Sequence, residues 1–377
     1  MTWSLAPANT PRFLLQDNEL LVEGARGSGI RNALALGAPA LPTHWTKPNN
    51  ASGLTVAFAS ISEGLLNGVR ITYSGTTGAS PGPDSTEFDS RTRFVINPGE
   101  PCAGSFFYRL ASGSIPAGVT PQNRFLSFTA AGTLVQISPQ GLIAPDATIR
   151  RATQVLTPTP AVGPNGYAVH GLHFPSWPAN TPVAFALDLF WPQLEPGAFA
   201  SSPILPAPGT IAASSRGDEG LTVLLSEVLV PPSGACTLLL AGRLGQAAPA
   251  GVTQMLGQID DGTDANRVLV YCAPGTASLR MRAVLAGVPG AEVILGTVVP
   301  GQIWRLVASL DGGGRLAASL DGAAALALTG GPAAGLVAAL FGTSRAGEAL
   351  FGTLRHIQVI PATTQDAALP ALAALIP

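Results

Sequence analysis

Short apolar runs, separated by glycine, proline and polar residues, follow one another along the whole chain. In the first half they occupy residues 54–60, 69–73, 91–96, 105–110, 124–128, 133–137, 147–156, 167–174 and 182–191. Alternation of apolar and polar residues places side chains on opposite faces of a half-buried strand. Short strands at this spacing, with turn signals between them, predict a β-sandwich or a jelly roll. The polar segment 75–89 is predicted to be a loop.

The second half repeats this pattern. Its predicted strands are 221–230, 235–242, 253–259, 267–273, 279–285, 291–299, 303–310, 315–320, 323–329, 337–341 and 352–360. Glycine-rich turns at 311–314 and 321–322 make 301–330 a three-stranded meander. The alanine- and leucine-rich segment 365–376 is the only predicted helix. Pro370 keeps it short, because proline is tolerated only in a first helical turn.

Five prolines lie between residues 191 and 216, at the middle of the chain. Proline has no N–H to donate to a sheet, so a central strand is not expected to continue through this segment. We therefore predict an all-β protein of two tandem antiparallel β-sandwich (jelly-roll) domains at 33–200 and 210–361. A short extended N-terminal leader at 1–32, a proline-rich linker at 201–209 and a tail at 362–377 with the short C-terminal helix complete the predicted organisation.

Composition excludes several classes of function. Charged residues make up 11% of the 377 residues, against roughly 25% in typical globular domains. The formal net charge is −2 and Lys47 is the only lysine, so no basic surface for nucleic acid is expected. The three cysteines, Cys102, Cys236 and Cys272, are predicted to be free and buried.

No membrane insertion and no signal peptide are predicted. The charge-free stretch 322–344 is interrupted by a Gly-Gly-Pro sequence at 330–332, which indicates strand–turn–strand instead of a membrane span. The N-terminus lacks a basic segment followed by an apolar one, as a signal peptide would have. The protein is therefore expected to be made in the cytoplasm.

Four boxes of residues, in order, resemble tailed-bacteriophage fibre and spike proteins. The first two boxes are Pro11-Arg-Phe13 with Leu20-Leu-Val-Glu-Gly-Ala-Arg26, Arg31-Asn32 and Trp45, and then Trp191 with Gln193-Leu-Glu195, Gly197, Phe199 and Ser201-Ser202-Pro203-Ile204. The other two are Arg216 with Asp218, and Gly352-Thr-Leu-Arg-His-Ile-Gln-Val-Ile-Pro361 followed by the leucine-containing segment 367–375. The segment 26–32 departs from the pattern of these proteins, which carry Arg-Thr-Asn there.

This resemblance implies a carbohydrate-binding-module-like jelly roll followed by a laminin-G or concanavalin-A-like domain. It implies a virion fibre or spike subunit, on the head or tail of a phage or a phage-like gene transfer agent. Such a subunit attaches the particle to host cell-surface polysaccharide, such as capsule, without catalysis. Its partners would be other virion proteins, with 1–32 as a docking segment. It would also bind copies of itself in a homo-oligomer, expected to be a trimer as is usual in such fibres. It would be extracellular after release.

The candidate carbohydrate-binding residues are Trp177, Tyr167, His170, Asp84 and Glu87. Sugar rings have apolar C–H faces that stack on aromatic side chains, while their hydroxyl groups need paired donors and acceptors. Trp177 lies between prolines in a loop, either exposed as a platform or packed as an anchor. His170 and His173 are three apart on a predicted strand and so face opposite sides, which predicts one packed and one solvated histidine and no shared metal.

No cofactor is predicted, with one alternative. Asp260, Asp261 and Asp264 crowd into one loop that is either a Ca²⁺ site or a polar hairpin turn. Glycoside hydrolysis needs two carboxylates flanking a sugar bond, and the conceivable pairs are Glu87 with Asp89 and Asp188 with Glu195. Since no nucleophile elbow or phosphate loop is present, we predict that the protein is not an enzyme. The alternatives are a purely structural spike-base protein and a glycan-degrading enzyme.

Overall fold

The computed structural model describes residues 12–14, 19–22, 26–64, 66–89, 94–138, 141–197, 199–216, 220–248, 251–346 and 348–377. The chain divides into two compact units. The first unit is Arg26–Arg216, and the second unit combines Met1–Ala25 with Gly217–Pro377. No helix within the described ranges is long and apolar enough to cross a lipid bilayer.

Strands dominate both units, which confirms the all-β prediction. In the first half of the chain they are β1 Arg12–Leu14, β2 Glu19–Val22, β3 Arg26–Ser28, β4 Thr46–Asn49, β5 Leu54–Glu63, β6 Leu66–Thr76, β7 Asp84–Glu87, β8 Phe94–Ile96, β9 Cys102–Gly113, β10 Gln122–Phe128, β11 Leu134–Ile137, β12 Gly141–Leu142, β13 Arg150–Leu156, β14 Gly166–Phe174 and β15 Pro182–Pro196. A 3₁₀ turn spans Pro160–Val162.

The remaining elements follow the proline-rich segment. The strands are β16 Ser214–Arg216, β17 Leu221–Leu224, β18 Cys236–Leu244, β19 Gln254–Asp260, β20 Arg267–Cys272, β21 Ser278–Leu285, β22 Val288–Thr297, β23 Ile303–Leu310, β24 Leu316–Leu320, β25 Leu326–Leu328, β26 Ala338–Phe341 and β27 Gly352–Ile360. A 3₁₀ turn at Asp366–Ala368 leads into the helix α1, Leu369–Leu375.

Two antiparallel sheets build the first unit. Sheet I has the strand order β13-β9-β15-β6-β5. Sheet II has the order β11-β10-β14-β7-β4, with β12 also beside β10 and β8 beside β14, and β3 pairs separately with β16. The core contains apolar side chains of both sheets, including Ile71 and Phe106 from sheet I and Phe125 and Leu172 from sheet II. This is the layered packing of a β-sandwich.

Strand β7 corrects the prediction of a continuous loop at 75–89. Its four residues, Asp84–Glu87, pair with β14 on one side and with β4 on the other, and all four are buried. The sequence Asp-Ser-Thr-Glu has no apolar alternation, which is the signal used to recognise strands. It forms a strand because its backbone completes the ladder between two neighbours and its polar side chains find partners there.

Strand β15 enters the proline-rich segment but does not continue through it. It runs for 15 residues to Pro196 between β9 and β6. Its register against β9 shifts between Phe190 and Gln193, and its pairing with β6 ends at Phe190. Pro192 therefore lies in a β-bulge, where a residue without an N–H does not remove a hydrogen bond between strands.

Buried polar contacts hold the chain after β15 against the first unit. Glu195 is fully buried, and its carboxylate accepts hydrogen bonds from the Ser201 backbone N–H and side-chain Oγ, each at 2.7 Å. Arg26 Nη1 lies 3.2 Å from Glu195 Oε2, the oxygen that also accepts from Ser201 Oγ. Gln193 Oε1 accepts from the Ile204 N–H at 2.8 Å. The side chains of Gln193 and Glu195 are thus clamps that hold the proline-rich segment.

The second unit is also a two-sheet antiparallel sandwich. Sheet III has the order β1-β2-β27-β18-β23-β24-β25, and sheet IV has the order β17-β26-β19-β20-β21-β22. Helix α1 packs Leu369 and Ala373 against Leu239 and Val307 of sheet III. Pro370 lies in the first turn of this helix, so the predicted short C-terminal helix is confirmed and proline begins it instead of interrupting it.

Several burial predictions are confirmed. The three cysteines are free and buried, and burial raises the pKa of the Cys102 thiol to about 12. Trp45, Trp191 and Trp304 are at most 4% exposed. These residues serve packing, so they are not candidates for ligand contact or redox chemistry.

A packing test of the first unit is available at Gly104 in β9. A Cβ atom at Gly104 would lie 2.6 Å from Phe125 Cζ and 2.7 Å from His170 Cδ2. We expect Gly104→Ala to lower the free energy of unfolding by about 1–3 kcal/mol through overpacking, measured by urea denaturation. Gly27→Ala in β3 is the control, since its Cβ would meet only Ser214 O at 3.5 Å. Equal stability of the two variants would contradict the packing described.

Candidate functional site

Strand β14 serves two faces of sheet II. Ala168, Leu172 and Phe174 belong to the core between the sheets. The alternate residues Tyr167 and Val169 form a separate apolar cluster with Phe128. Because successive side chains of a strand point to opposite faces, Tyr167, Val169, Gly171 and His173 all lie on the face turned away from the core.

An open pocket of about 540 Å³ lies on this outer face. Its lining comes from five strands of sheet II: β4, β7, β10, β11 and β14. Arg124 and Glu87 are both register partners of Gly171, and Leu126 is the partner of Val169. Its lining includes Ser85, Glu87, Arg124, Leu126, Val169 and His173. We call this site the face pocket.

One end of the face pocket is polar and its side chains are held by hydrogen bonds. Thr46 Oγ1 donates to Glu87 Oε2 at 2.9 Å, and Asn49 Nδ2 donates to Ser85 Oγ at 2.9 Å. Arg124 Nη1 donates to His173 Nε2. These contacts fix the orientation of the donors and acceptors that a ligand would meet.

The imidazole of His173 is neutral in this setting. Burial and the charge of Arg124 together lower the pKa of His173 to about 4. Near neutral pH its Nε2 lone pair therefore accepts from Arg124, and the ring proton sits on Nδ1. Burial also lowers the pKa of Arg124, but a guanidinium remains protonated in proteins. The polar end thus presents a fixed positive charge.

The other end of the face pocket is apolar. Leu126, Phe128 and Val169 line it, and Tyr167 stacks on Phe128 with ring centroids 4.9 Å apart. Leu134 and Ile137 of β11 complete the lining and are 48% and 47% exposed. Two large apolar side chains that stay this exposed beside a pocket are typical of a ligand-contacting surface.

Gly171 lies between Arg124 and Glu87 at the polar end and has no side chain to fill the space there. A Cβ atom there would lie 2.3 Å from the carbonyl oxygen of Thr86, so a side chain would force the neighbouring strand to move. The absence of a side chain leaves the gap between Arg124 and Glu87 open to a ligand.

The structure places the five predicted carbohydrate-binding residues in different surroundings. Glu87 lines the face pocket. Tyr167 lies on the same sheet face, stacked on Phe128 and 6% exposed. The lining of the face pocket does not include the other three, Trp177, His170 and Asp84.

Trp177 is a packed anchor of its loop, which confirms the second of the two predicted alternatives. It is 6% exposed, and its ring lies 5.0 Å from Phe174 and 5.8 Å from Tyr73, centroid to centroid. A ring enclosed by aromatic neighbours offers no face for a sugar to stack on.

His170 is the packed histidine of the pair. It is 1% exposed, stacks on Phe125, and its Nε2 donates to Asn123 Oδ1 at 2.6 Å. His173, three residues further on, lies on the opposite face in the face pocket, so the prediction of opposite faces is confirmed. The prediction that one histidine is solvated is wrong, because His173 is only 8% exposed. Burial lowers the pKa of His170 to about 3, and the ring is a neutral part of the core.

Asp84 is a structural anchor under β4. Its carboxylate accepts from Lys47 Nζ at 2.6 Å and from the Tyr73 hydroxyl at 3.2 Å, and it is fully buried. Burial lowers the pKa of Lys47, an effect that Asp84 opposes. A buried ion pair of this kind costs much to break, which favours a role in stability.

The acidic loop after β19 has the geometry of a polar turn. Asp260 accepts from Gln258 Nε2 at 2.7 Å and from Arg345 Nε at 2.8 Å, whereas Asp261 accepts from Thr263 and Asn266. Asp264 pairs with Arg267. Within the described residues, no group of three or more histidine, cysteine or acidic side chains is arranged to hold a metal ion.

Three of the four carboxylates considered for hydrolysis are paired with arginines. Asp188 is fully buried between Arg70 at 2.7 Å and Arg109 at 2.8 Å. Asp89 pairs with Arg31, and Glu195 belongs to the clamps described above. Among the described residues that line the face pocket, Glu87 is the only carboxylate.

Sequence reasoning missed Arg124, Ser85 and Asn49 as site residues. Arg124, Leu126 and Phe128 alternate along β10, so the shared face of these three residues could have been found from the sequence. Their meeting with β7 and β4 could not, because it depends on strand register between distant segments.

Comparison with known proteins gives distant similarities of fold. No protein-family model matches the chain, and no curated protein matches it. A carbohydrate-binding module (CBM40) of the Ruminococcus gnavus IT-sialidase, bound to α2,3-sialyllactose, is 14% identical and has a TM-score of 0.32, covering 42% of this chain and 97% of its own.

Two other solved structures are similar at the same level. The heptameric SAP-like pentraxin of Limulus polyphemus is 12% identical with a TM-score of 0.29, covering 37% of this chain and 69% of its own. Human galectin-16 is 14% identical with a TM-score of 0.27, covering 43% of this chain and 100% of its own. At this level of similarity, function has to be inferred from the chain's own residues.

The neutral, buried state of His170 predicts a pH dependence of stability. Its folded pKa of about 3 lies below the ordinary value, so between these values the unfolded state binds a proton that the folded state does not. Stability contributed by this neutral ring is therefore lost as pH falls. Between about pH 7 and about pH 5 we expect His170 to account for a loss of about 2 kcal/mol in the free energy of unfolding.

Urea denaturation of the wild type and of His170→Gln at both pH values measures this contribution. The variant keeps a polar group near Asn123 but cannot titrate, so its loss of stability over the same pH interval should be smaller by that amount. The same pH dependence in both proteins would contradict a buried neutral His170.

Proposed function

We propose that the face pocket binds glycan and that the protein is a non-catalytic attachment subunit, a fibre or spike of a phage or phage-like particle that contacts host cell-surface polysaccharide. The observation that carries the glycan-binding part is the pocket's division into a hydrogen-bonded polar end and an exposed apolar end, on one face of sheet II.

A sugar ring has the same division. Its C–H groups form apolar patches, and its hydroxyl groups need both donors and acceptors when they leave water. Arg124 supplies donors, Glu87 supplies acceptors, and Ser85 supplies both. Leu126, Leu134 and Ile137 supply apolar contact. The rigid strands beneath these side chains limit the entropy lost on binding.

Binding without reaction is favoured by the shortage of carboxylates. Hydrolysis of a glycosidic bond by the usual mechanisms needs two carboxyl groups about 5–10 Å apart. Glu87 alone lines the described part of the face pocket, and the buried Asp188 is held between two arginines. The described lining of the pocket therefore offers contacts for a glycan but does not offer the pair of carboxyl groups that cleavage needs.

The attachment role is supported by the boxes of residues that resemble phage fibre and spike proteins. Single glycan sites are usually weak, and repeated copies on a particle gain strength through effective concentration. The edge strand β5 is ten residues long, and its only charged residue is Glu63. Such an edge is suited to pairing with another copy, consistent with the predicted oligomer. The docking role of residues 1–32 and the trimeric state stay predictions.

Replacing the exposed apolar residues of the pocket tests the proposal. In the double variant Leu134→Ser, Ile137→Ser, apolar area that a bound sugar would cover is lost, while the fold is little affected because both side chains are half exposed. We expect binding to the best glycan of an array of bacterial capsule and envelope polysaccharides to weaken by about fivefold or more, measured by biolayer interferometry.

Val155→Ser is the matched control, because Val155 is a partly exposed apolar residue of sheet I that does not line the pocket. It should bind like the wild type. Glycan binding that the double variant leaves unchanged would place the site elsewhere, and binding to no polysaccharide of the array would favour a purely structural role.

A further inference from the structure

Arginines of the first unit characteristically meet carboxylates. The ion pairs among its described residues are Arg26–Glu195, Arg31–Asp89, Lys47–Asp84, Arg70–Asp188, Arg109–Asp188, Arg109–Glu63 and Arg150–Asp146. A protein with so few charges therefore uses most of these arginines as structural counter-charges. An arginine that departs from this pattern needs another explanation.

Arg124 departs from it. Among the described residues, its one hydrogen-bond partner is the neutral ring of His173, and no carboxylate lies within ion-pair distance. Its Nε atom is buried and has no partner. Burial of a charged group without an opposite charge is unfavourable, so an anion at this position would stabilise the guanidinium.

The position of Arg124 is accessible to a ligand. It lines the face pocket beside Gly171, which has no side chain to cover it. The hydrogen bond to His173 fixes one edge of the planar guanidinium. A guanidinium matches a carboxylate through two parallel N–H···O bonds, which makes arginine a selective partner for that group.

We propose that the face pocket selects glycans built from sugar acids, with the sugar carboxylate bound by Arg124. This rests on the proposed function and names the class of glycan. Glu87, the other register partner of Gly171, accepts hydrogen bonds from the hydroxyl groups of the same residue. The apolar end contacts the remaining ring carbons or an acyl substituent. The positive and negative groups of the pocket therefore match the carboxylate and the hydroxyl groups of one acidic sugar.

Paired probes that differ only in the carboxylate test this proposal. Suitable pairs are polygalacturonate with its methyl ester, hyaluronan with carboxyl-reduced hyaluronan, and 3′-sialyllactose with lactose. Dextran sulfate reports whether sulfate replaces carboxylate, and dextran reports neutral binding. We expect the full-length wild type to bind at least one acidic probe on the order of tenfold more tightly than its uncharged match.

Arg124→Gln should remove this preference, because it keeps a polar side chain but loses the charge and the forked donors. Arg124→Lys should retain part of it, since the charge remains without the two parallel bonds. Arg150→Gln is the control, because it removes an exposed arginine of the same unit that pairs with Asp146 and does not line the pocket. Thermal unfolding of each variant checks that the fold is intact.

The outcomes separate the two proposals. Equal binding of acidic and uncharged matches, unchanged in Arg124→Gln, would overturn the sugar-acid proposal and leave glycan binding in place. Preference for dextran sulfate over every carboxylate probe would likewise overturn it. Binding to none of these probes and to no polysaccharide of the capsule and envelope array would overturn both proposals.

Discussion

The two-sided use of strand β14 is the constraint on which the rest of the first unit depends. Every second residue of β14 points into the core, where Leu172 packs and His170 lies among aromatic rings. The residues between them point to the outer face, where Val169 and His173 lie beside Arg124 and Leu126 of β10. A slip of one residue would exchange the two sets completely. The packing of the core therefore fixes the strand register, and the strand register decides which side chains line the face pocket. The geometry of the site and the stability of the unit thus both depend on the core packing of β14.

The scarcity of charge gives each ionic group a definite place. Asp84, Asp188 and Glu195 are fully buried acceptors that join strands or clamp the proline-rich segment. Such groups stay in a sandwich only when nearly all their oxygens are satisfied. Arg124 is the contrast, because it faces an open pocket and contacts a neutral histidine. Because so few residues are charged, an arginine without a carboxylate partner stands out as a candidate ligand contact.

The sequence predicted the fold better than the site. Apolar alternation indicated the hairpin of β10 and β11 and the strand Gly352–Ile360, because local periodicity is sufficient there. The same pattern missed β7, because its polar residues are buried only by the strands on either side. It also did not predict the β-bulge that accommodates Pro192 within β15. For the site, Glu87 was predicted from its residue type. Arg124 needed the pairing of distant strands. Trp177 was a candidate because it lies between prolines in a loop, and Asp84 because it lies in a polar segment, but both side chains are buried.

Amide hydrogen exchange of the full-length protein, with and without a bound polysaccharide, tests the central claim most directly. Glycan contact on the outer face of sheet II should slow exchange in β10, β11, β14 and β7 and leave sheet I and the second unit unchanged. The account predicts protection centred on the segments around Arg124, Glu87 and His173. Protection confined to the second unit, under conditions where binding is measured, would contradict it.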